Sequence, residues 1–316
     1  MKILLVTPAP SSLRNGNRLT ALRWARMLRE LGHQVQLATE YEAQKCDLMV
    51  ALHARRSAGS IAWFHKTYPA APLIVVLTGT DLYRDIHVNA AARESLEIAT
   101  RLVVLQSMAL RELPRRLHAK TRVIYQSASK VTVKAPQGDA FRVCVIGHLR
   151  REKDPLRTAM AVRHLPAASK VKVLHVGKVL EKELGERAKR ENRINPRYRW
   201  IGELPHWNTR KILAANHLLC VTSRMEGSSN VLSEALASGV PVVASKIPGL
   251  EGTLGRDYPG YFQVGDTRGL ARAIRRAECD RGFYQDLKAC CRRLAPLVNP
   301  SRERGALKAL VQETAS

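Results

Sequence analysis

Short apolar runs alternate with amphipathic helical patterns along this chain of 316 residues, and that alternation restricts the folds open to it. The first run, Lys2–Thr7, suits a fully buried parallel strand, and the amphipathic pattern after it ends at Gly32. Because strands and helices keep alternating, we expect a doubly wound parallel sheet. The further apolar runs of the first half are residues 35–38, 48–52, 73–77, 102–105 and 123–125, with helices predicted at 89–99 and 108–116.

The same pattern restarts after a polar, irregular stretch over residues 127–140, which contains Pro136 and is typical of a linker. The strand-like runs of the second half are residues 141–146, 171–176, 198–202, 218–222 and 240–244. The sequence therefore predicts two Rossmann-like α/β domains, residues 1–136 and 137–299, that face each other across a cleft. A last helix within residues 300–316 is expected to cross back onto the first domain. Ligands of open α/β sheets bind beyond the carboxyl ends of the strands, so we expect the site there.

The charge of the chain is strongly basic, with a formal net charge of +25. At 45% hydrophobic and 25% charged residues, the chain is globular and not disordered. Nucleic acid, an anionic membrane surface and small anionic substrates would all suit this charge. Nucleic acid is disfavoured, because aromatic residues make up only 5% and no known nucleic-acid-binding motif occurs. Peripheral contact with anionic lipid stays open.

No stretch approaches the ~20 apolar residues that cross a bilayer, and the first residues lack the pattern of a signal peptide. We therefore expect a cytoplasmic protein without a transmembrane segment. The six cysteines show no C-x-x-C spacing, and no histidine cluster has the spacing of a zinc site. Cys144 and Cys220 lie in apolar runs and are expected to be buried thiols. The sequence predicts neither a disulfide framework nor a metal site.

Two glutamates, Glu226 and Glu234, bracket a run of small residues in the second half of the chain. The small residues next to Glu226 are Gly227, Ser228, Ser229 and Asn230. Small side chains let a ligand approach the backbone, and the free N–H groups of a first helical turn bind anions. Carboxylates do not bind phosphate, so the two acids are expected to face hydroxyl groups of a sugar and of a ribose. The alternative is an ordinary capped helix whose glutamates are solvated.

A basic loop follows the strand predicted at residues 141–146. Gly147 permits a tight turn, and Arg150 and Lys153 come shortly after it. Arginine binds phosphate oxygens in a planar, bidentate manner, and lysine supplies a point charge. Such charges stabilise an anionic leaving group as it develops. The alternative is a solvated surface loop, but the position at a strand end favours a diphosphate site.

The strand ends of the first half carry a second group of candidates. The turn Asn15–Asn17 stands between the first strand and the first helix, where backbone N–H groups bind anions. It does not fit G-x-G-x-x-G, so a dinucleotide fingerprint is absent. His53 and Thr78–Asp81 each follow a predicted strand, where site residues are expected. The alternatives are an ordinary loop and a structural histidine.

Together these motifs resemble the retaining glycosyltransferases of the GT-B fold, in the large glycosyltransferase group-one family. The resemblance covers nearly the whole chain. It implies that Glu226 lies near the donor sugar and that Glu234 holds the nucleotide ribose. It also implies that Gly227–Asn230 offer backbone N–H groups to the sugar and the phosphates.

The family's Gly-Arg-Leu…Lys phosphate motif is matched here by Gly147 and Lys153. His148 stands where the family has arginine, so Arg150 is expected to take over the arginine's role. The resemblance therefore implies that Lys153 and Arg150 are catalytic, together with Glu226. Gly147 and His148 are assigned to donor binding.

Two departures from the family pattern lie in the first half. The N-terminal glycine loop is matched with Asn15 in place of the first glycine, and we assign Gly16 and Asn17 to donor binding. The family often has a histidine in a Thr-x-His-Asp element, whereas this chain has Thr80 there and retains Asp81. A hydroxyl acceptor benefits from a base, but an acceptor that is already an anion needs positive charge instead.

The whole pattern is similar to a narrow subgroup, the selenosugar synthases of selenoneine biosynthesis. These enzymes join selenophosphate to the anomeric carbon of UDP-N-acetylglucosamine or UDP-glucose and form a carbon–selenium bond. The resemblance implies a UDP-sugar and selenophosphate as substrates, without a cofactor or metal. The acceptor-side candidates are Arg14, Arg18, His53, Thr80 and Asp81, with Arg55 and Arg56 as further basic groups.

Two alternatives remain. The first is an ordinary member of the family that glycosylates a hydroxyl group of a lipid or glycan at a membrane surface. The second is a basic, non-catalytic protein that binds nucleic acid or lipid and retains a transferase fold, since fold does not fix function. The intact glutamate pair and Lys153 argue against the second alternative.

Overall fold

The structure is a computed structural model that describes residues 1–9, 16–133 and 138–315. These residues form two compact units. Unit 1 comprises Met1–Gln126, Glu226–Ser229 and Pro300–Ser316, and unit 2 comprises Ser127–Met225 and Asn230–Asn299. The domain boundary predicted at residue 136 lies outside the described residues.

Strands and helices alternate along the chain, as the apolar runs predict. The strands are β1 (Lys2–Val6), β2 (Gln34–Ala38), β3 (Leu48–Leu52), β4 (Leu73–Leu77), β5 (Arg101–Val104), β6 (Thr121–Val123), β7 (Phe141–Ile146), β8 (Val171–Val176), β9 (Tyr198–Trp200), β10 (Leu218–Val221), β11 (Val242–Ser245) and β12 (Tyr261–Phe262). The α-helices are α1 (Gly16–Glu30), α2 (Ala58–Thr67), α3 (Ile86–Val88), α4 (Ala90–Ile98), α5 (Arg157–Val162), α6 (Lys182–Ile194), α7 (His206–Ala214), α8 (Asn230–Ser238), α9 (Pro248–Leu254), α10 (Thr267–Cys279), α11 (Arg281–Leu294) and α12 (Pro300–Ala315).

Each unit is built on one parallel sheet. The strand order is β2-β1-β3-β4-β5-β6 in unit 1 and β12-β11-β10-β7-β8-β9 in unit 2. Side chains alternate between the two faces of a strand, so Ile3 and Leu5 enter one apolar core of unit 1 while Leu4 and Val6 enter another. Both faces are thus covered, as in a doubly wound sheet. The predicted fold class, two Rossmann-like α/β domains, is confirmed.

The last helix, α12, belongs to the core of unit 1. The buried carboxylate of Glu303 accepts hydrogen bonds from Arg23 Nε at 2.9 Å and from the indole N–H of Trp24 at 2.7 Å. Leu307 and Leu310 of the same helix join the apolar cluster that contains Trp24. A buried charge is tolerated only when it is paired and hydrogen-bonded, and both conditions hold here.

Replacing Glu303 by glutamine is expected to lower the free energy of unfolding by about 2 kcal/mol, because the Arg23 guanidinium loses its counter-charge. Denaturant unfolding followed by circular dichroism measures the change. Glu313 of the same helix pairs with Arg122 but is about a third exposed, so Glu313→Gln is the matched control. Its loss is expected to stay below about 1 kcal/mol. Equal losses for the two variants would contradict the assignment of Glu303 to the core.

Two of the differences from the sequence-based expectation are explained by prolines. The helix predicted at residues 108–116 is divided into the 3₁₀ segments Ser107–Glu112 and Arg115–Lys120. Pro114 lies between them in an extended conformation. A continuous helix is interrupted there, because proline disfavours helix at the residue before it and cannot donate a helical hydrogen bond. The strand predicted from residue 240 begins only after Pro241, which has no N–H to donate to the sheet.

Candidate functional site

The predicted phosphate loop, residues 147–154, follows β7 at the carboxyl edge of the unit 2 sheet and is held on two sides. On one side the Leu149 N–H donates to the Lys178 carbonyl oxygen at 2.8 Å. On the other side the Thr222 hydroxyl donates to the Lys153 carbonyl oxygen at 3.0 Å. A loop held in this way needs little ordering when a ligand binds, which favours affinity.

Two of the three cations in this loop, Arg150 and Lys153, are the predicted phosphate-binding residues. The side-chain stem of Lys153 covers Gly147, since a Cβ atom built on Gly147 would lie 3.8 Å from Lys153 Cδ. The guanidinium of Arg150 lies 3.9 Å from the Glu152 carboxylate, which offsets part of its charge. The structure therefore brings Gly147, Arg150 and Lys153 together at the strand end where the sequence predicts a diphosphate.

His148, which stands where the family has arginine, has a structural contact. Its Nδ1 accepts a hydrogen bond from the Lys178 N–H at 3.1 Å. The ring thereby joins the loop to the residues that follow β8. The assignment of His148 to donor binding stays a prediction.

Two residues that the sequence did not single out support the carbonyl group of Gly147. Gly177, directly after β8, lies so close that a Cβ atom there would be 1.9 Å from the Gly147 oxygen. The buried His175 contacts the same oxygen through Nε2 at 3.0 Å and the Tyr198 hydroxyl through Nδ1 at 2.7 Å. Burial lowers the pKa of His175 to about 4, so the neutral ring accepts at Nδ1 and donates at Nε2. The sequence signal for these two residues was a histidine inside an apolar strand that is followed directly by a glycine.

Glu234 is buried in α8 and contacts a histidine. Its Oε1 lies 2.6 Å from Nε2 of His206, the first residue of α7. Glu234 and Glu226 are each only 7% exposed, so the alternative of two solvated glutamates is wrong. The sequence did not indicate His206 as a site residue, because it lies 28 residues from Glu234 along the chain. Its place soon after β9 was the only signal.

The segment Glu226–Ser229 belongs to unit 1 and approaches its backbone closely. A Cβ atom on Gly227 would lie 2.3 Å from the Thr78 carbonyl oxygen, so only glycine fits there. The hydroxyl of Ser229 is buried and has no hydrogen-bond partner among the described residues. An unpaired buried hydroxyl destabilises the protein that contains it.

His53 and Thr80 meet at the carboxyl edge of the unit 1 sheet. His53 follows β3 with a φ of 73°, and its Nε2 lies 3.0 Å from the Thr80 hydroxyl. Its Nδ1 accepts a hydrogen bond from the Arg56 N–H at 3.2 Å, so in the neutral ring Nε2 is the donor. Burial lowers the pKa of His53, although the nearby Asp81 opposes the shift. His53 is therefore a buried, neutral residue.

Asp81 is completely buried and its carboxylate faces backbone N–H groups. Oδ1 accepts from Gly79 at 2.7 Å, and Oδ2 accepts from Ala54 at 3.0 Å. Asp81 and His53 thus hold loops in place, and their assignment to the acceptor side stays a prediction. Thr80 is half-buried and stays a candidate.

The remaining candidates of unit 1 lie on α1 and after β3. Gly16–Arg18 form the first turn of α1, and Arg14 lies outside the described residues. Arg55 and Arg56 are exposed, and the guanidinium of Arg55 lies 3.5 Å from the Asp85 carboxylate. These positive charges suit an anionic ligand more than a neutral one.

The described residues include no cluster of His, Cys, Asp and Glu that could hold a metal ion. Within the same ranges, no helix combines the length and the apolarity needed to cross a membrane. Cys144 and Cys220 are free and buried, as predicted.

The chain shares its fold with known proteins. HepE (Alr3699) of Anabaena in complex with UDP-glucose has a TM-score of 0.78 at 18% identity, over 99% of this chain and 100% of that chain. Sucrose-phosphate synthase of Thermosynechococcus elongatus has a TM-score of 0.79 at 17% identity, over 100% of both chains. A glycosyltransferase of Rickettsia africae has a TM-score of 0.75 at 13% identity, over 100% of this chain and 98% of that chain. The fold is therefore GT-B. The profile described as "Glycosyl transferases group 1" matches residues 129–292, and the chain belongs to that family.

Proposed function

We propose that this protein transfers a sugar from a UDP-sugar whose nucleotide binds at the carboxyl edge of the unit 2 sheet. One observation carries the proposal: the basic loop 147–154 and the buried carboxylate of Glu234 both lie on elements of unit 2 that follow its strands. Cations bind a diphosphate, and a carboxylate accepts hydrogen bonds from ribose hydroxyls. The UDP-glucose bound by HepE, a protein of similar fold, supports the choice of nucleotide.

The chemistry assigned to these residues is stabilisation of a leaving group. The bond between the anomeric carbon and the diphosphate breaks, and its electron pair leaves with UDP. Lys153 and Arg150 stabilise the charge that develops on the diphosphate. Glu234 binds the ribose, while Glu226 orients the sugar and Gly227–Asn230 donate backbone N–H groups.

Ser229 provides a test in which two measurements move in opposite directions. Replacing it by alanine removes an unpaired buried hydroxyl, so the ligand-free protein is expected to gain up to about 1 kcal/mol of stability. The same change is expected to weaken UDP binding about tenfold, because a hydrogen bond to the phosphate is lost. Thermal unfolding and isothermal titration calorimetry measure the two effects. A loss of stability without a change in affinity would assign Ser229 to the fold alone.

The acceptor proposed is selenophosphate, whose selenium attacks the anomeric carbon and forms a carbon–selenium bond. An anionic nucleophile needs no base. The carboxylate of Asp81 is occupied by backbone N–H groups, and Nε2 of His53 is bonded to Thr80. Neither group is available to deprotonate a hydroxyl, and this supports an acceptor that is already an anion. The sequence resemblance to the selenosugar synthases supports the same acceptor.

The experiment is a screen for UDP release with UDP-glucose and UDP-N-acetylglucosamine, each with and without selenophosphate. We expect release that depends on selenophosphate, together with a product in which selenium is bound to the sugar. Release that occurs only with a lipid or glycan hydroxyl acceptor would replace selenophosphate by the alternative acceptor class. No binding or turnover of any UDP-sugar would overturn the proposed function.

A further inference from the structure

His206 contacts the carboxylate that the proposed function assigns to the ribose. Its Nε2 lies 2.6 Å from Glu234 Oε1, and because a carboxylate only accepts, Nε2 carries the proton. The side chain of Glu234 is 10% exposed and that of His206 is 44% exposed, so the pair lies at the boundary between core and solvent. Among the described residues Glu234 has no other side-chain partner, which leaves Oε2 for a ligand.

The backbone that leads to His206 is fixed. The Gly177 N–H donates to the Gly202 carbonyl oxygen at 2.8 Å, which ties the residues after β9 to the end of β8. Gly202 turns the chain with a φ of 78°, a conformation that favours glycine. Pro205, with its restricted φ of −52°, then sets the direction in which α7 begins. The constrained backbone between β9 and α7 therefore sets the position of the His206 imidazole next to the Glu234 carboxylate.

We infer that His206 is a positioning residue: it holds Glu234 in the orientation in which Oε2 accepts from a ribose hydroxyl. A glutamate side chain loses rotamer entropy when it is fixed, and the His206 contact fixes it before the nucleotide arrives. The pair also gives specificity for ribonucleotide donors, because a nucleotide without the hydroxyl leaves a buried carboxylate oxygen without its partner. The inference rests on the proposed function.

The test compares His206→Ala, which removes the donor, with His206→Gln, whose side-chain amide supplies another N–H. His164→Ala is the control, since His164 is an exposed histidine elsewhere in unit 2. We expect His206→Ala to raise the donor KM and the Kd of UDP about tenfold, the order of the rotamer entropy of one side chain. The kcat should stay unchanged, since ribose is bound equally in the ground and transition states. Glutamine should restore part of the affinity.

A second ligand separates positioning from a general structural role. For 2′,3′-dideoxy-UDP, which lacks both hydroxyls, His206→Ala should have no effect, and the same holds for UDP in a Glu234→Ala background. Equal weakening of UDP and of the dideoxy analogue would overturn the inference. Unchanged UDP affinity in His206→Ala would overturn it as well, while the proposed function would stand. A wild-type protein that binds no UDP would instead overturn the proposed function.

Discussion

Replacing Lys153 by alanine is expected to lower kcat/KM for sugar transfer by about 10²–10³-fold, the loss typical when one preorganised charge at a developing anion is removed. The effect should fall mainly on kcat, because the diphosphate gains charge as the glycosidic bond breaks. The clamped backbone favours this outcome, since the Lys153 carbonyl is held by Thr222 and the loop cannot rearrange freely to bring another cation into place. A coupled assay of UDP release over a range of donor concentrations measures both constants.

Lys182→Ala is the matched control for this prediction. Lys182 is exposed at the start of α6, in the same unit, and has no place in the proposed site. Its removal should leave kcat/KM within twofold of the wild type. Lys153→Arg keeps the charge but changes its geometry, so an intermediate loss is expected. If Lys153→Ala released UDP as fast as the wild type, the phosphate loop would be wrongly assigned.

Replacing Gly177 by alanine is expected to have the largest effect on the fold of unit 2. The added Cβ atom would lie 1.9 Å from the Gly147 carbonyl oxygen, and a backbone atom held by β7 and His175 cannot rotate away. We expect a loss of about 3 kcal/mol in the free energy of unfolding, at the upper end for overpacking. Displacement of the phosphate loop by about 1 Å should also weaken activity about 10²-fold.

A second glycine substitution provides the control. Gly305 lies in α12, is exposed, and has nothing within 4 Å of a Cβ atom built on it. Gly305→Ala is expected to stabilise the protein by about 0.5–1 kcal/mol through higher helix propensity. Thermal unfolding of both variants, with UDP binding by calorimetry, tests the contrast. Wild-type stability of Gly177→Ala would show that the β7 and β8 ends are less tightly packed than the distances indicate.

Most of the fold could be predicted from the apolar runs. β3, β4, β7 and β8 begin and end at the residues where the runs do, because each run is short, apolar and bounded by polar or turn-forming residues. The prediction failed at residues 108–116, where apolar spacing suggested a helix and Pro114 divides it. The effect of Pro114 on the backbone determined the structure of this segment, and apolar periodicity alone does not predict that effect.

The candidate site was predictable only in part. Gly147, Lys153 and Glu234 follow strands, so their positions could be inferred from the order of elements. The contact between His206 and Glu234 joins two helices, and no spacing rule predicts such a pair. The same applies to Asp81, because the sequence does not distinguish a carboxylate that faces a ligand from one that accepts backbone N–H groups, as this one does. Single-sequence patterns therefore predict neither contacts between distant side chains nor the hydrogen bonds that a side chain makes to the backbone.

The placement of α12 in unit 1 has a consequence for biosynthesis. Strands β1–β6 leave the ribosome early, but Glu303, which pairs with Arg23 and Trp24, is translated only after the whole of unit 2. Unit 1 therefore cannot complete its core until all of unit 2 has been synthesised. Nascent chains stalled before residue 300 should thus show protease resistance in unit 2 first. Chains cut short by a stop codon before residue 300 should leave the Trp24 indole without its acceptor, Glu303.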